Sequence, residues 1–184
     1  TQAEAVASDA LTDACPIIAE TLAVVADPQV RNCGTIGGNC ANGDPGNDLP
    51  AVMIALGAFF TLAGTSGSRR VAARAFYRGT FDTALEPGEL ITAVSFPIPD
   101  KAGYMKFPNP ASRYCIVAVM VSQTGKDVRV GVTGAGACAF RVADMEAALA
   151  AEFTPGAVEN ISIPDTDLNS DIHAGADYRA HLVT

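Results

Sequence analysis

Tryptophan is absent from this chain of 184 residues, and aromatic residues make up only 7% of it. A core built without large rings must be packed from small side chains, with backbones in close approach. Basic residues are also few: 12 Lys and Arg against 20 Asp and Glu leave a formal net charge of -8. A nucleic-acid surface needs a basic stripe, so that class of partner is excluded. There is no C-x-x-C pair among Cys15, Cys33, Cys40, Cys115 and Cys138, and the gap from Cys33 to Cys40 is not a usual metal-ligand spacing. All five are read as reduced, mostly packing residues of a cytoplasmic protein, with no iron–sulfur cluster on this chain. Long apolar runs are missing too. The most apolar stretch, Ala51 to Ala63, is too short to span a bilayer and contains Gly57. The first residues carry no basic, apolar leader pattern.

What is present is a 49% hydrophobic, 17% charged chain, enough for one large domain or two small ones sharing a core. Residues 3–26 read as helix, with Leu11, Cys15, Ile18 and Leu22 on one face and Pro16 as a dividing point. Arg31 to Asp48, rich in Gly and Asn, reads as a long loop. Asp48 before Leu49-Pro50 predicts a short buried helix from about Pro50 to Leu56. Phe59 to Ala63 and Arg69 to Ala75 flank Gly64 to Ser68 as a hairpin, and Leu90 to Phe96 is a strand. Pro97-Ile98-Pro99 is the candidate boundary between a first unit, 1–97, and a second, 98–184. In the second, Tyr104 to Phe107 begins a strand, Cys115 to Ser122 and Val128 to Thr133 form a hairpin, and helices follow at Arg141 to Glu152 and Asp171 to Val183.

The chemistry concentrates at Thr35-Ile36-Gly37-Gly38-Asn39. It is not a Rossmann fingerprint, which needs G-x-G-x-x-G after a strand and an acidic residue further on. Paired glycines can take positive φ and let phosphate oxygens approach successive backbone N–H groups. A lone Gly-Gly is more often a plain tight turn. Here Arg31, Asn32, Asn39, Asn42, Asp44, Asn47 and Asp48 crowd into the same stretch, and so many short polar side chains suit a ligand with phosphates and sugar hydroxyls.

Asp27 to Asn39, followed by Asp44-Pro45 and Asp48-Leu49-Pro50, resembles the FAD-binding (medium) subunit of molybdenum hydroxylases, the family of xanthine dehydrogenase and aerobic carbon monoxide dehydrogenase. The resemblance continues through Glu89 to Val94 and Tyr104 to Tyr114, and ends in Ser170 to Leu182. It is greatest to the carbon monoxide dehydrogenase medium-subunit type. It implies an α+β fold: the second subdomain of a PCMH-type FAD-binding domain, a mixed or antiparallel sheet with helices, followed by a flavoprotein C-terminal domain of small antiparallel sheet plus helices.

The cofactor implied is FAD, with molybdopterin and 2Fe-2S clusters on partner subunits. Those partners are a molybdopterin-binding large subunit and an iron–sulfur small subunit. On the matching positions, Thr35, Ile36, Gly37, Gly38 and Asn39 would hold the FAD pyrophosphate, Asp48 would bind FAD hydroxyls, Lys106 would lie close to the flavin and Ile91 would touch the cofactor. Without the family, Asp48 reads as a helix N-cap, Lys106 as a solvated surface charge, Ile91 as a core strand residue and Tyr114 as ordinary packing rather than a ring-stacking group. His173 and His181 read as surface or capping residues. These subunits carry a further N-terminal subdomain with its own Gly-Gly-Thr loop; Thr1 aligns downstream of it, so the chain is expected to lack the N-terminal FAD subdomain and to hold half of the site. The implied function is electron transfer from iron–sulfur clusters through FAD to NAD, a quinone or oxygen. The alternative is a non-catalytic remnant that serves as a partner-docking domain. A weaker reading, an independent flavin oxidase of the vanillyl-alcohol oxidase type, predicts a covalent His or Cys flavin link.

Overall fold

Capping residues divide the amino-terminal third more finely than hydrophobic periodicity suggests. The computed structural model describes residues 1–184. Helix α1 (Gln2–Val6) is closed by a capping box in which Thr1 Oγ1 accepts from the Glu4 amide and the Glu4 carboxylate reaches back. Helix α2 (Asp9–Ala14) starts at Ser8, whose hydroxyl accepts from Leu11 N, and α3 (Pro16–Ala23) begins with its proline. The helical stretch expected over 3–26 does divide at Pro16, and a second break falls at Ser8, which offers a better start than continuation does. Cys15, Ile18 and Leu22 still share the core.

The stretch expected to be a loop also folds into helix. Asp27 Oδ1 accepts from Val30 N at 2.9 Å and opens α4 (Pro28–Cys33). Thr35 opens α5 (Ile36–Asn42), which ends at Gly43 with φ 63°. Two short helices with side-chain caps carry no apolar periodicity long enough to register in a sequence window.

All seven residues of α6 (Leu49–Ala55) are buried. After it come β1 (Phe59–Gly64), β2 (Gly67–Ala72), the one-turn α7 (Ala73–Phe76), the ladder of β3 (Tyr77–Gly79) with β4 (Asp82–Thr83), and β5 (Leu90–Ser95), in a sheet ordered β2-β1-β5. Beyond Pro97–Pro99, β6 (Lys101–Pro108), β7 (Cys115–Thr124), β8 (Asp127–Thr133) and β9 (Phe140–Arg141) form a second sheet in sequential order. Every pairing is antiparallel; several neighbours are joined by short turns that cannot connect parallel strands. Helices α8 (Ala143–Ala151) and α9 (Ala176–Val183) complete an α+β fold. The last helix starts five residues later than expected. Asp171 Oδ1 instead accepts from the His173 and Ala174 amides, and Oδ2 pairs with Arg179 at 2.8 Å.

One core gathers α3, α6 and β1 around Phe60 and Phe76, whose ring centroids lie 4.5 Å apart. The other lies between β7, β8, α8 and α9, with Val117, Val130, Val132, Met145 and Leu149. Met120 of β7 and Ala139, just before β9, belong to the first core. Polar ties reinforce the junction: Ser122 Oγ donates to Ala55 O at 2.7 Å, and Thr133 Oγ1 lies 2.8 Å from Pro45 O and from Asn47 O. Helix α6 lies directly on β8 because position 131 is glycine; a Cβ there would overlap the Ala51 carbonyl. This junction holds the Asn47–Leu49 segment in place beneath the cavity described next.

Candidate functional site

Thr35 takes extended backbone angles, and its hydroxyl accepts from Gly38 N at 2.8 Å. The first intrahelical bond runs from Asn39 N to Thr35 O at 3.0 Å. The Thr35–Asn39 segment is therefore the first turn of α5 and not a glycine loop, and neither Gly37 nor Gly38 has positive φ. Glycine is needed at 38 for space: a Cβ would lie 2.9 Å from Thr35 Oγ1 and displace the cap. The amides of Ile36 and Gly37 have no acceptor within the helix, and the dipole of this end favours negative charge.

This helix start forms one wall of a cavity of about 450 Å³. Thr35, Gly38, Asn39 and Asp48 line it together, joined by Gln2, Cys33, Asn42, Asn47, Arg113 and Tyr114 and by apolar Val25, Ala26 and Val30. Asn47 Nδ2 donates to Asn39 O at 3.1 Å. Asn39 Oδ1 and Gln2 Oε1 are buried without any protein partner, an arrangement that a polar ligand or water must complete. Ile36, Gly37 and Ile91 lie elsewhere, on an apolar cavity of about 370 Å³. There the Ile91 carbonyl is 3.4 Å from where a Gly37 Cβ would stand. The structure thus gathers four of the expected cofactor residues on one polar wall and sets these three behind it.

Asp48 and Lys106 meet. Lys106 Nζ is 2.8 Å from Asp48 Oδ1 and 3.0 Å from Oδ2, and it donates to Val24 O at 3.0 Å. The two side chains are only 6% and 4% exposed. Tyr104 OH donates to Asp48 Oδ1 at 2.7 Å and lies 3.6 Å from Cys115 Sγ. Asp48 stands at the N-cap position of α6 with helical angles and makes no capping bond. Neither plain reading holds: its carboxylate is committed to the pair, and Lys106 is not a solvated charge. Burial first, and then the neighbouring Asp48 charge, push the Cys115 thiol well above its ordinary value. Burial also leads the rise at the Tyr104 phenol. Both groups stay protonated and act as neutral members of the network.

Gln2 and Arg113 on the cavity wall were not among the expected site residues. Gln2 lies just outside the helical stretch expected over 3–26, yet it is 1% exposed and its backbone N–H donates to Gly34 O at 2.8 Å. Arg113 reaches the wall through a backbone φ of 62° that sequence does not advertise. Tyr114 borders this cavity and a smaller polar one of about 280 Å³ that holds His173, whose Nδ1 is 3.1 Å from Asn109 Nδ2. His181 lies on α9 with its ring near Tyr178. The five cysteines are unpaired, with Cys15, Cys40 and Cys115 buried and Cys33 exposed. No helix is long and apolar enough to cross a membrane.

Residues 1–99 match the family described as the FAD binding domain in molybdopterin dehydrogenase. The chain is 49% identical over 127 residues to the carbon monoxide dehydrogenase medium chain of Afipia carboxidovorans, covering 67% of this chain and 44% of that one. It is 35% identical over 193 aligned positions to the nicotine 6-hydroxylase medium subunit of Paenarthrobacter nicotinovorans, covering 100% of this chain and 68% of the relative. Among solved structures, the cyanide-inactivated Cu,Mo-CO dehydrogenase superposes with a TM-score of 0.82 at 37% identity, over all of this chain and 68% of that chain. Quinoline 2-oxidoreductase from Pseudomonas putida 86 gives 0.82 at 28% identity with the same coverage. The chain spans roughly half to two thirds of the length of these relatives.

Proposed function

Because the chain belongs to the family of FAD-binding domains of molybdopterin dehydrogenases, we propose that it forms a wall of the FAD site in an electron-transfer subunit of a molybdenum hydroxylase. The observation that carries this reading is the cavity lined by the first turn of α5. Its polar groups fit the cofactor: a helix start for the diphosphate, Thr35 and three asparagines for oxygens and hydroxyls, and buried amide oxygens without protein partners that can accept from hydroxyls. Under this reading Thr35, Gly38 and Asn39 hold the diphosphate directly, and Ile36 and Gly37 contribute their amides. Asp48 and Lys106, neutralised by each other, fix the floor and hold β6 to the start of α6. Ile91 supports α5 from behind. Bound FAD would take electrons from iron–sulfur clusters of a small subunit, fed by a molybdopterin-binding large subunit, and pass them to NAD, a quinone or oxygen. The reading treats 1–97 as the FAD-binding unit and 98–184 as the flavoprotein C-terminal unit, and it places the protein in the cytoplasm, where unpaired cysteines persist.

The test is flavin absorbance and acceptor reduction by the full-length protein co-expressed with its partner subunits, with and without Gly37→Ala plus Gly38→Ala. Loss of flavin in the double variant with assembly intact supports the reading. Unchanged assembly and activity in the double variant, or no flavin in the parent, favours the docking-domain alternative.

A further inference from the structure

We propose that Arg113 supplies the counter-charge for the FAD diphosphate. This inference rests on the flavin reading and adds a residue to it. Of the side chains lining the α5 cavity, only Asp48 and Arg113 are charged. Asp48 is already met by Lys106, which leaves Arg113 as the uncompensated charge of the wall. No carboxylate lies within ion-pair distance of its guanidinium, and its single hydrogen bond, to Ala26 O, is long at 3.4 Å. By contrast Arg69, Arg141 and Arg179 are each held by a carboxylate at 2.8 Å or closer.

The backbone is shaped to present this side chain. Arg113 sits at φ 62°, a conformation that costs energy for any residue with a Cβ. An exposed turn anchored on the buried Asn109 holds it there. Arg113 N donates to Asn109 O at 2.9 Å, and Asn109 N donates to Tyr114 O at 2.8 Å. Asn109 Oδ1 accepts from Ala111 N at 2.9 Å and from Ser112 N at 3.0 Å, with Asn109 itself 8% exposed. Ala26, the partner across the gap, also has positive φ, 44°. Two strained residues facing one cavity, with an arginine free to leave a weak bond, suit a dianionic ligand. Hydroxyls and amides orient a diphosphate but carry no counter-charge; a planar guanidinium orients it and offsets one of its two charges.

The experiment uses the full-length protein in its complex, stripped of flavin and titrated by fluorescence with FAD and with riboflavin, which lacks the diphosphate, at low and high ionic strength. Arg113→Gly is the informative variant, since glycine adopts this φ without strain and folding is not at stake. The expected result is a roughly 10- to 100-fold loss of FAD affinity, a flatter dependence on salt, and unchanged riboflavin affinity. Arg113→Lys should recover part of the loss. The proposal fails if Arg113→Gly binds FAD within about twofold of the parent, or loses riboflavin to the same extent, since the threshold for one lost charged bond is higher. If the parent protein takes up no FAD at all, the flavin reading itself falls, an outcome separate from failure at Arg113 alone.

Discussion

Replacing Lys106 by methionine tests whether the Asp48–Lys106 pair is an internal brace or a direct contact to the flavin. Both side chains are more than nine-tenths buried, and the ammonium makes three contacts, two to Asp48 and one to the Val24 carbonyl. Removing one member of a buried pair strands the other charge, which costs about 3–5 kcal/mol. The Tyr104 hydroxyl still donates to Asp48 at 2.7 Å, so the lower end, about 3 kcal/mol, is expected. In a chain of this size that is a fall in midpoint of about 10 °C. Urea denaturation of the flavin-free protein reads the loss. The double variant Asp48→Asn with Lys106→Met, which removes both charges while an acceptor for Tyr104 remains, should recover most of it. A loss below about 1 kcal/mol for Lys106→Met, the size of an exposed pair, or no recovery in the double variant, would refute the brace. Lys106 acting on the flavin instead predicts a shifted flavin reduction potential with apoprotein stability little changed.

Further outcomes follow from the same geometry. Gly38→Ala should leave stability nearly unchanged, because displacing the Thr35 cap costs about 1 kcal/mol and alanine regains a similar amount in helix propensity. It should still weaken FAD binding by crowding the cavity wall, whereas Gly37→Ala, whose methyl meets only the Ile91 side, should be milder; equal effects in flavin titrations would contradict the division of the two cavities. Cys33 is exposed on the wall and should be alkylated first by iodoacetamide, with FAD slowing it; a rate indifferent to FAD places the ligand elsewhere. Burial pushes the Cys40 thiol up to about 12. The unfolded chain ionises its thiols near ~8.5, so this group's stabilising contribution is complete below that pH and disappears as pH rises toward the folded value. Denaturation curves should show a shallower alkaline decline for Cys40→Ala; an identical decline would show that Cys40 does not drive it.

Much of the architecture was legible from local signals. Pro16, Asp48-Leu49-Pro50, Pro97-Ile98-Pro99 and the turn at Thr124 to Asp127 punctuate the chain where elements end or begin, because proline and short polar residues act through their own backbone. The second half of α4 and all of α5 fall in the stretch Arg31 to Asp48 that reads as loop, since each helix is only one to two turns and is held by a cap rather than by an apolar face. The motif Thr35–Asn39 was legible as a polar, phosphate-suited stretch, but its glycines suggested positive φ where the chain uses them to make room for a hydroxyl.

By itself, then, the sequence determined the family, the α+β character and the location of the polar wall, all carried by residues close together in the chain. Only tertiary structure decided that Asp48 and Lys106, 58 positions apart, neutralise each other, that Ile91 backs α5 instead of lining the polar cavity, and that Arg113 is left as the free charge. The reason is physical. Whether a charge is available to a ligand depends on which opposite charge the packed chain brings beside it, and that is a property of distance in space.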